Sequence, residues 1–439
     1  MKRALALTVF TLAACQSGGA ARVPVASVSA AETTPSWAAL RKTAHDARVA
    51  HDYPAYRAAV RALYERSGSS YTLYELAIAN ALAGDHSAAL ASLRQYAARG
   101  LAELSEPTHA LDAIRTDPAF AAIHAQMDAN LRPVAHATLA YPLPKDDLIT
   151  EDIAYDPGTR TFFVSSVRER KVLAIDERGV ARDFIVGDPE LGSACGIAVT
   201  RDRLWVASAE LPPMKGYQAV AAHPTALLSY DLATGRRIGR VLLEAGTGEH
   251  ALTDLTAAPD GTIFASDATG GAVYVLPPGA RALESLCPPG TFISPQTPAL
   301  SEDGRTLFVP DYVHGIARVD LATRKVSWLA HEGVALDGID GLYTNASKGS
   351  KASHLYAVQN GTVPVRVVRF DLDEAGGAVV RAEVLEQGSD GLGEPTHGVF
   401  ARGSFFFLAN AGWARFGDDG RVLSSAPPDA PAIWSLRGQ

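Results

Sequence analysis

Cysteine is nearly absent from this chain, with three residues in 439. One of them, Cys15, sits at the end of an N-terminal apolar run, so Cys195 and Cys287 are left for the folded part. Two cysteines cannot make a disulfide framework. One bridge in an oxidising compartment and two buried free thiols both fit that count. Net charge is also scarce, −8 overall, and no basic run is longer than Arg168–Lys171, "RERK". That balance argues against nucleic acid as a partner. Long apolar runs are missing too. The only candidate, Ala4 to Ala14, is too short for a permanent bilayer span. What remains is 47% hydrophobic and 20% charged, the composition of a chain that folds. Its length suggests more than one domain.

The first segment reads as a leader. Lys2 and Arg3 precede the apolar run, and Thr11–Cys15, "TLAAC", closes it with small residues. This is the n-region, h-region and small-residue junction of a secretory signal. The junction resembles the bacterial lipobox, which implies a leader over 1–14, lipidation of Cys15 and tethering to a membrane by acyl chains. Gln16 does not resemble the Asp associated with inner-membrane retention. The expected location is therefore the bacterial cell envelope, facing the periplasm, with the outer membrane preferred. Residues 15–35 are small and polar without an apolar period, as in a flexible tether.

Over 36–132 the pattern becomes helical. Apolar residues recur at three and four along "WAALRKTAHDARVAHD" (37–52), "YPAYRAAVRALYERSG" (53–68), "YTLYELAIANALAGD" (71–85) and "HSAALASLRQYAARG" (86–100). Asp52 and Asp85 each follow one helix and open the next, and Ala55/Ala88, Val60/Leu93 and Arg61/Arg94 share their spacing of 33. A helix pair of about 34 residues is the tetratricopeptide period, and the segment resembles a short array of that kind. It reads either as a module packed on its neighbour or as a surface for a protein partner.

From 135 to 439 short β-rich runs alternate with Gly, Asp, Asn and Pro. "PDGTIFASD" (259–267) and "EDGRTLFVPD" (302–311) stand 43 apart. A period of about 40–50 residues with four strands each describes propeller blades. Six first strands can be aligned: "EDIAYDP" from Glu151, "CGIAVTR" from Cys195, "TDLTAAPDG" from Thr253, "QTPALSEDG" from Gln296, "DGLYTNA" from Asp340 and "HGVFARG" from His397. The expected fold is mainly β: a six-bladed β-propeller preceded by an α-helical domain. "HATLAYPLP" (136–144) is expected to supply the outer strand of the last blade and close the ring, hiding both sheet edges.

Innermost strands surround a central channel, so the aligned starts face one another across it. That column is Glu151, Cys195, Thr253, Gln296, Asp340 and His397, while Ile153, Ile197, Leu255, Leu342 and Val399 two places on are apolar. Two carboxylates, an amide oxygen and a hydroxyl make a hard-oxygen set suited to Ca²⁺ or Mg²⁺. The nitrogen of His397 shifts the balance toward Zn²⁺ or Mn²⁺. Polar residues lining a wet channel, with Asp-Gly pairs as turns, account for the same pattern without chemistry. Asp337 is assigned to such a turn.

The β region resembles the family of gluconolactonase, senescence marker protein and luciferin-regenerating enzyme. The likeness covers about 147–410 and rests on "TEDIAYDP" (150–157), "TDLTAAPDGTIFASD" (253–267), "PQTPALSEDGRTLFVPDY" (295–312) and "DGIDGLYT" (337–344). The resemblance implies one divalent cation in the channel, Ca²⁺ preferred, held by Glu151, Gln296 and Asp340, with Asp340 also the general base. Gln296 stands where the family has Asn, which moves the amide oxygen by one methylene. Thr253-Asp254-Leu255 stands where it has Asn-Asp-Gly. His397 lies outside the family's metal set and is open to a ligand, substrate-binding or channel-lining role. Thr253, Asp254 and Asn410 are further candidates for metal or substrate, and Asn410 and Trp413 are placed near the channel mouth.

Two functions of different class follow. One is a lipid-anchored, metal-dependent hydrolase of lactones or esters acting on a small molecule in the channel. The other is a non-catalytic envelope scaffold or small-ligand binder.

Overall fold

The computed structural model describes residues 35–103, 109–145, 147–218, 224–244, 248–345, 354–417, 419–423 and 430–438. The leader, Cys15 and all of the tether except Pro35 lie outside the described residues.

Five α-helices form the N-terminal region: α1 (Trp37–Val49), α2 (Tyr53–Ser67), α3 (Ser70–Leu82), α4 (His86–Ala98) and α5 (Pro118–Asn130). Each begins at a polar cap, Ser36, Asp52, Ser69, Asp85 or Asp117, whose side chain accepts an N–H that the helix leaves unpaired. Asp52 and Asp85 make the same bond, to Ala55 N and Ala88 N at 3.1 Å each. The spacing of 33 therefore repeats a start signal. Val60 and Leu93 are both buried, as their shared position requires. Helix α3 is apolar nearly all round and is buried from Ser70 to Ala81 with few interruptions, which is what such a helix needs. It packs between α2 and α4. Each Leu fully buried there contributes about 1.5–3 kcal/mol.

The rest of the chain is a six-bladed β-propeller with sheets over 150–185, 193–242, 252–287, 299–328, 339–387 and 398–437. Strands within each blade are antiparallel and sequential from the axis outward. The ring closes as the sequence implies: Thr138–Pro142 pairs with Ala432–Arg437 as the outer strand of blade six. Just before it, Val134–Ala135 adds a fifth strand to blade five. Between the two, the buried Glu386 accepts His136 N at 2.8 Å and Ala137 N at 2.7 Å, fixing the step from one blade to the next. Apolar inner residues fill the gaps between blades, for example Ile153, Phe162, Val164 and Leu173 against Phe406, Leu408 and Ile433. Cys195 and Cys287 are free and buried.

The helices dock on the end of the propeller where the inner strands begin. Ala335 and Val363, from loops of blade five, join the helical core. The Asp337 carboxylate accepts Ser70 N at 2.9 Å, Ser70 Oγ at 2.9 Å and Tyr71 N at 3.3 Å. Its turn assignment is therefore incomplete. Asp337 adds to the Ser69 cap of α3 from 267 positions away in sequence, a bond that local pattern cannot reveal. Among the described residues no helix is long and apolar enough to cross a membrane.

Close approach of blades two and three fixes one glycine. A Cβ on Gly196 would lie 2.8 Å from Asp254 Cα and 2.9 Å from Thr253 O. Gly196→Ala is expected to destabilise the propeller by about 1–3 kcal/mol through backbone overpacking, read as a lowered thermal midpoint.

Candidate axial site

The inner strands do not begin regularly. Register shifts fall at Thr150/Ile153, Ala194/Ile197, Leu252/Asp254 and Ile339/Gly341. Each is an irregularity at the axial end, and each contains or adjoins one of the expected axial residues: Glu151, Cys195, Thr253 and Asp340. Bulges leave residues unpaired and re-aim their side chains. Here they let consecutive residues face the interior, so Glu151 and Asp152 are both buried.

The result is a charged network. His397 is fully buried, with Nδ1 2.7 Å from Glu151 O and Nε2 2.9 Å from Asp254 Oδ1. A carbonyl only accepts, so Nδ1 carries a proton. Burial alone would lower the His397 pKa. The carboxylates of Asp340, Asp152 and Asp254 outweigh it and hold the ring well above its ordinary value. His397 is therefore an imidazolium donating from both nitrogens. Asp254 also accepts Thr297 Oγ1 at 2.7 Å and Thr253 Oγ1 at 2.6 Å. Asp152 accepts Ile197 N and Ile153 N at 2.7 Å each.

Nearer the mouth stand Glu151 and Asp340, the two carboxylates expected to hold a cation. Trp413 Nε1 donates to Glu151 Oε2 at 2.7 Å, and Asn360 Nδ2 donates to Asp340 Oδ2 at 2.6 Å. Tyr312 OH in turn donates to Asn360 Oδ1 at 2.9 Å. Among the described residues, the second oxygen of each carboxylate takes no hydrogen bond. Burial raises both pKa values; for Glu151 the next cause is the charge of Asp340. Gln296 donates its amide nitrogen to Ser294 O at 3.2 Å and Ser294 Oγ at 2.9 Å. Its amide oxygen stays without a partner among the described residues.

These placements sort the candidates. Among the described residues, Glu151, Asp340 and Gln296 each have one side-chain oxygen without a hydrogen bond. His397 has no such atom: both nitrogens are engaged, so neither lone pair serves a cation. Thr253 and Asp254 belong to the same internal network; Asp254 is buried and Thr253 is half-buried. Asn410 is corrected as well. Its amide nitrogen donates to Gly391 O at 2.9 Å and Ala430 O at 3.3 Å, supporting a loop. Its counterpart at the end of the second strand of blade five, Asn360, is the one that reaches the axis. Trp413 proves to be a hydrogen-bond partner of Glu151. Asp152, Thr297, Tyr312, Asn360 and Glu394 were not evident from the sequence. Glu394 accepts Ala414 N at 3.0 Å, and burial, opposed by that bond and reinforced by Asp340, raises its pKa to about 7. A signal for Asp152 was present: two acidic residues in a row at a strand start imply a bulge.

A hard cation suits this donor set. Two carboxylates repel at close quarters with no shared donor, and an amide oxygen is on hand. Among the described residues no three His, Cys, Asp or Glu side chains converge as a ligand group.

Fold and site together define a six-bladed propeller with an acidic axial site beneath a docked helical region. Solved structures similar to it include a gluconolactonase from Xanthomonas campestris, at 19% identity, covering 70% of this chain and 98% of that one with a TM-score of 0.45. A calcium-binding regucalcin from Agrobacterium tumefaciens matches at 19% identity over 69% of this chain and 93% of its own, TM-score 0.47. A luciferin-regenerating enzyme matches at 13% identity over 70% and 96%, TM-score 0.45. The likeness at these identities is one of fold. No protein-family model and no curated protein matches the chain.

Protonation of Asp152 and Glu394 couples to stability. The Asp152 and Glu394 pKa values rise to about 7, for both mainly through burial. The folded chain thus binds these protons more tightly than the unfolded chain. Their contribution is full below the ordinary carboxylate range and is lost as pH rises through about 7. The thermal midpoint is expected to drop as pH rises from about 5 to about 8, and Glu394→Gln should flatten that fall. His397→Ala leaves Asp254 buried without its counter-ion and should cost about 3–5 kcal/mol.

Proposed function

We propose that the axial site is hydrolytic, acting on a lactone or ester with one divalent cation, Ca²⁺ preferred. One observation carries this reading: two buried carboxylates on the axis, Glu151 and Asp340, each have one oxygen fixed by a neighbour and, among the described residues, no hydrogen bond to the other. Buried acids left in that state are characteristic of working sites. The lactone or ester class comes from the motif resemblance of the inner strands.

Glu151, Gln296 and Asp340 would hold the cation. When bound, it supplies polarisation of a carbonyl and acidification of a water. The protein's own part is positional and protolytic. Trp413 fixes Glu151 and Asn360 fixes Asp340, so neither carboxylate has to reorganise during reaction. Asp340, with a raised pKa and a free oxygen, accepts the proton of the attacking water. The imidazolium of His397 offsets the charge behind both acids without leaving the interior.

Calcium titration tests the reading through calorimetry and the fluorescence of Trp413. One ion per chain is expected. Glu151→Gln and Asp340→Asn should each weaken binding about tenfold or more, the loss of one charged contact. On a panel of lactones and esters, Asp340→Asn should lower kcat by about 10²–10⁴. Wild-type protein that binds no divalent ion, or variants that bind it as well as wild type, would refute the site.

We also propose that Cys15 anchors the protein to the cell envelope, on the strength of the leader pattern. Cys15→Ala should move the protein from the membrane to the soluble fraction, and unchanged fractionation would exclude the anchor.

A further inference from the structure

The helical region and the axial site meet in one hydrogen-bonded segment. Asp337, the added cap of α3, lies three residues before Asp340. Its backbone oxygen accepts Gln359 Nε2 at 2.8 Å, and the same amide nitrogen donates to Ala335 O at 3.0 Å. Gln359 Oε1 accepts Arg366 Nε at 2.8 Å, and Arg366 reaches Gly100 O of the helical region at 3.4 Å. Burial lowers the Arg366 pKa to about 10, with Asp337 opposing that shift. The next residue, Asn360, is the one that holds Asp340.

The packing leaves this segment little slack. Gly338 adopts a φ of 68°, and a Cβ there would lie 2.8 Å from the Gly361 carbonyl carbon. Gly338 N donates to Tyr312 O at 2.8 Å, and Gly361 N to Gly338 O at 3.1 Å. The loop leading into the strand of Asp340 and the loop carrying Asn360 are thus clamped together, and both are tied to the helical region. A displacement of the α3 terminus has no soft place to be absorbed before it reaches Asp340.

We propose that the helical region is a working part of the axial site, and that Asp337 and Gln359 are positioning residues setting Asp340 and Asn360 through the α3 terminus. This deepens the hydrolytic reading and rests on it for the role of Asp340, but the positional link stands on the geometry alone. It assigns the helices a role distinct from recruiting a partner: they brace the mouth of the channel.

The test is hydrogen exchange read by mass spectrometry on the full chain. Asp337→Asn removes the charge that α3 and Arg366 share, and Ser70→Ala removes one bond to the same carboxylate and serves if Asp337→Asn fails to fold. Asn130→Ala is the control. It loses bonds to Ala97 O and Leu101 O within the helical region and does not touch Asp337. Exchange over Ile339–Thr344 and around Asn360 should rise about tenfold in Asp337→Asn, the effect of one lost charge-assisted bond, and stay at wild-type level in Asn130→Ala. Exchange that rises only in α3, or that rises equally in the control, overturns the proposal. A second readout is turnover. With a substrate found in the lactone and ester panel, Asp337→Asn should lower kcat about tenfold or more, as misplacement of a reacting group does, with KM nearly unchanged. Absence of turnover in the wild type would sink the hydrolytic reading, while the exchange result would still decide the positional one.

Discussion

The channel depends on one buried positive charge. Glu151, Asp152, Asp254 and Asp340 are all nearly inaccessible, and uncompensated carboxylates in such surroundings are strongly disfavoured. His397 meets that problem from blade six. Its ring joins the backbone of blade one and the carboxylate of blade three, 2.7 Å and 2.9 Å away, and lies 3.9 Å from Asp340 of blade five. One side chain thus neutralises and cross-links the centre of the ring. Because it does so with both nitrogens, it is part of the scaffold of the site and not a ligand in it.

Outside that network, Glu151 and Asp340 each keep an oxygen without a hydrogen bond among the described residues. Glu151 and Asp340 stand beyond the imidazolium, held by Trp413 and Asn360, and keep the tension of like charges at the mouth. Irregular inner strands make this division possible. A regular strand would send alternate residues inward, whereas the register shifts beside Glu151 and Asp152 let one serve the mouth and the next the interior. Asp152 then binds Ile197 N of blade two, so the same irregularity also staples neighbouring blades.

The helices extend this logic outside the ring. Their N-terminal dipole at α3 favours an anion, and the propeller supplies Asp337 for it. The bond serves both partners: the helix, capped by Ser69, gains an acceptor for its Ser70 and Tyr71 N–H groups, and the loop before Asp340 gains an anchor. Placing the helices at the end where inner strands begin brings them to the one face on which their docking can bear on the site.

Much of the architecture was legible in sequence because it is periodic. The blade repeat, the helix starts at Asp52 and Asp85, the closing strand near His136 and the axial places of Glu151 and Asp340 all follow from spacing and turn chemistry, which act over a few residues. What sequence could not give were partners far apart in the chain. The pairing of His397 with Asp254 spans 143 positions and the bond from α3 to Asp337 spans 267. Asn410 and Asn360 occupy equivalent places at strand ends, yet only the packing of their loops decides that Asn360 meets Asp340. Local pattern determined which inner-strand starts, such as Glu151 and Asp340, reach the axis. The closure of the ring, by bringing charges from four blades into one buried cluster, decided which of them pair with each other and which keep an unbonded oxygen.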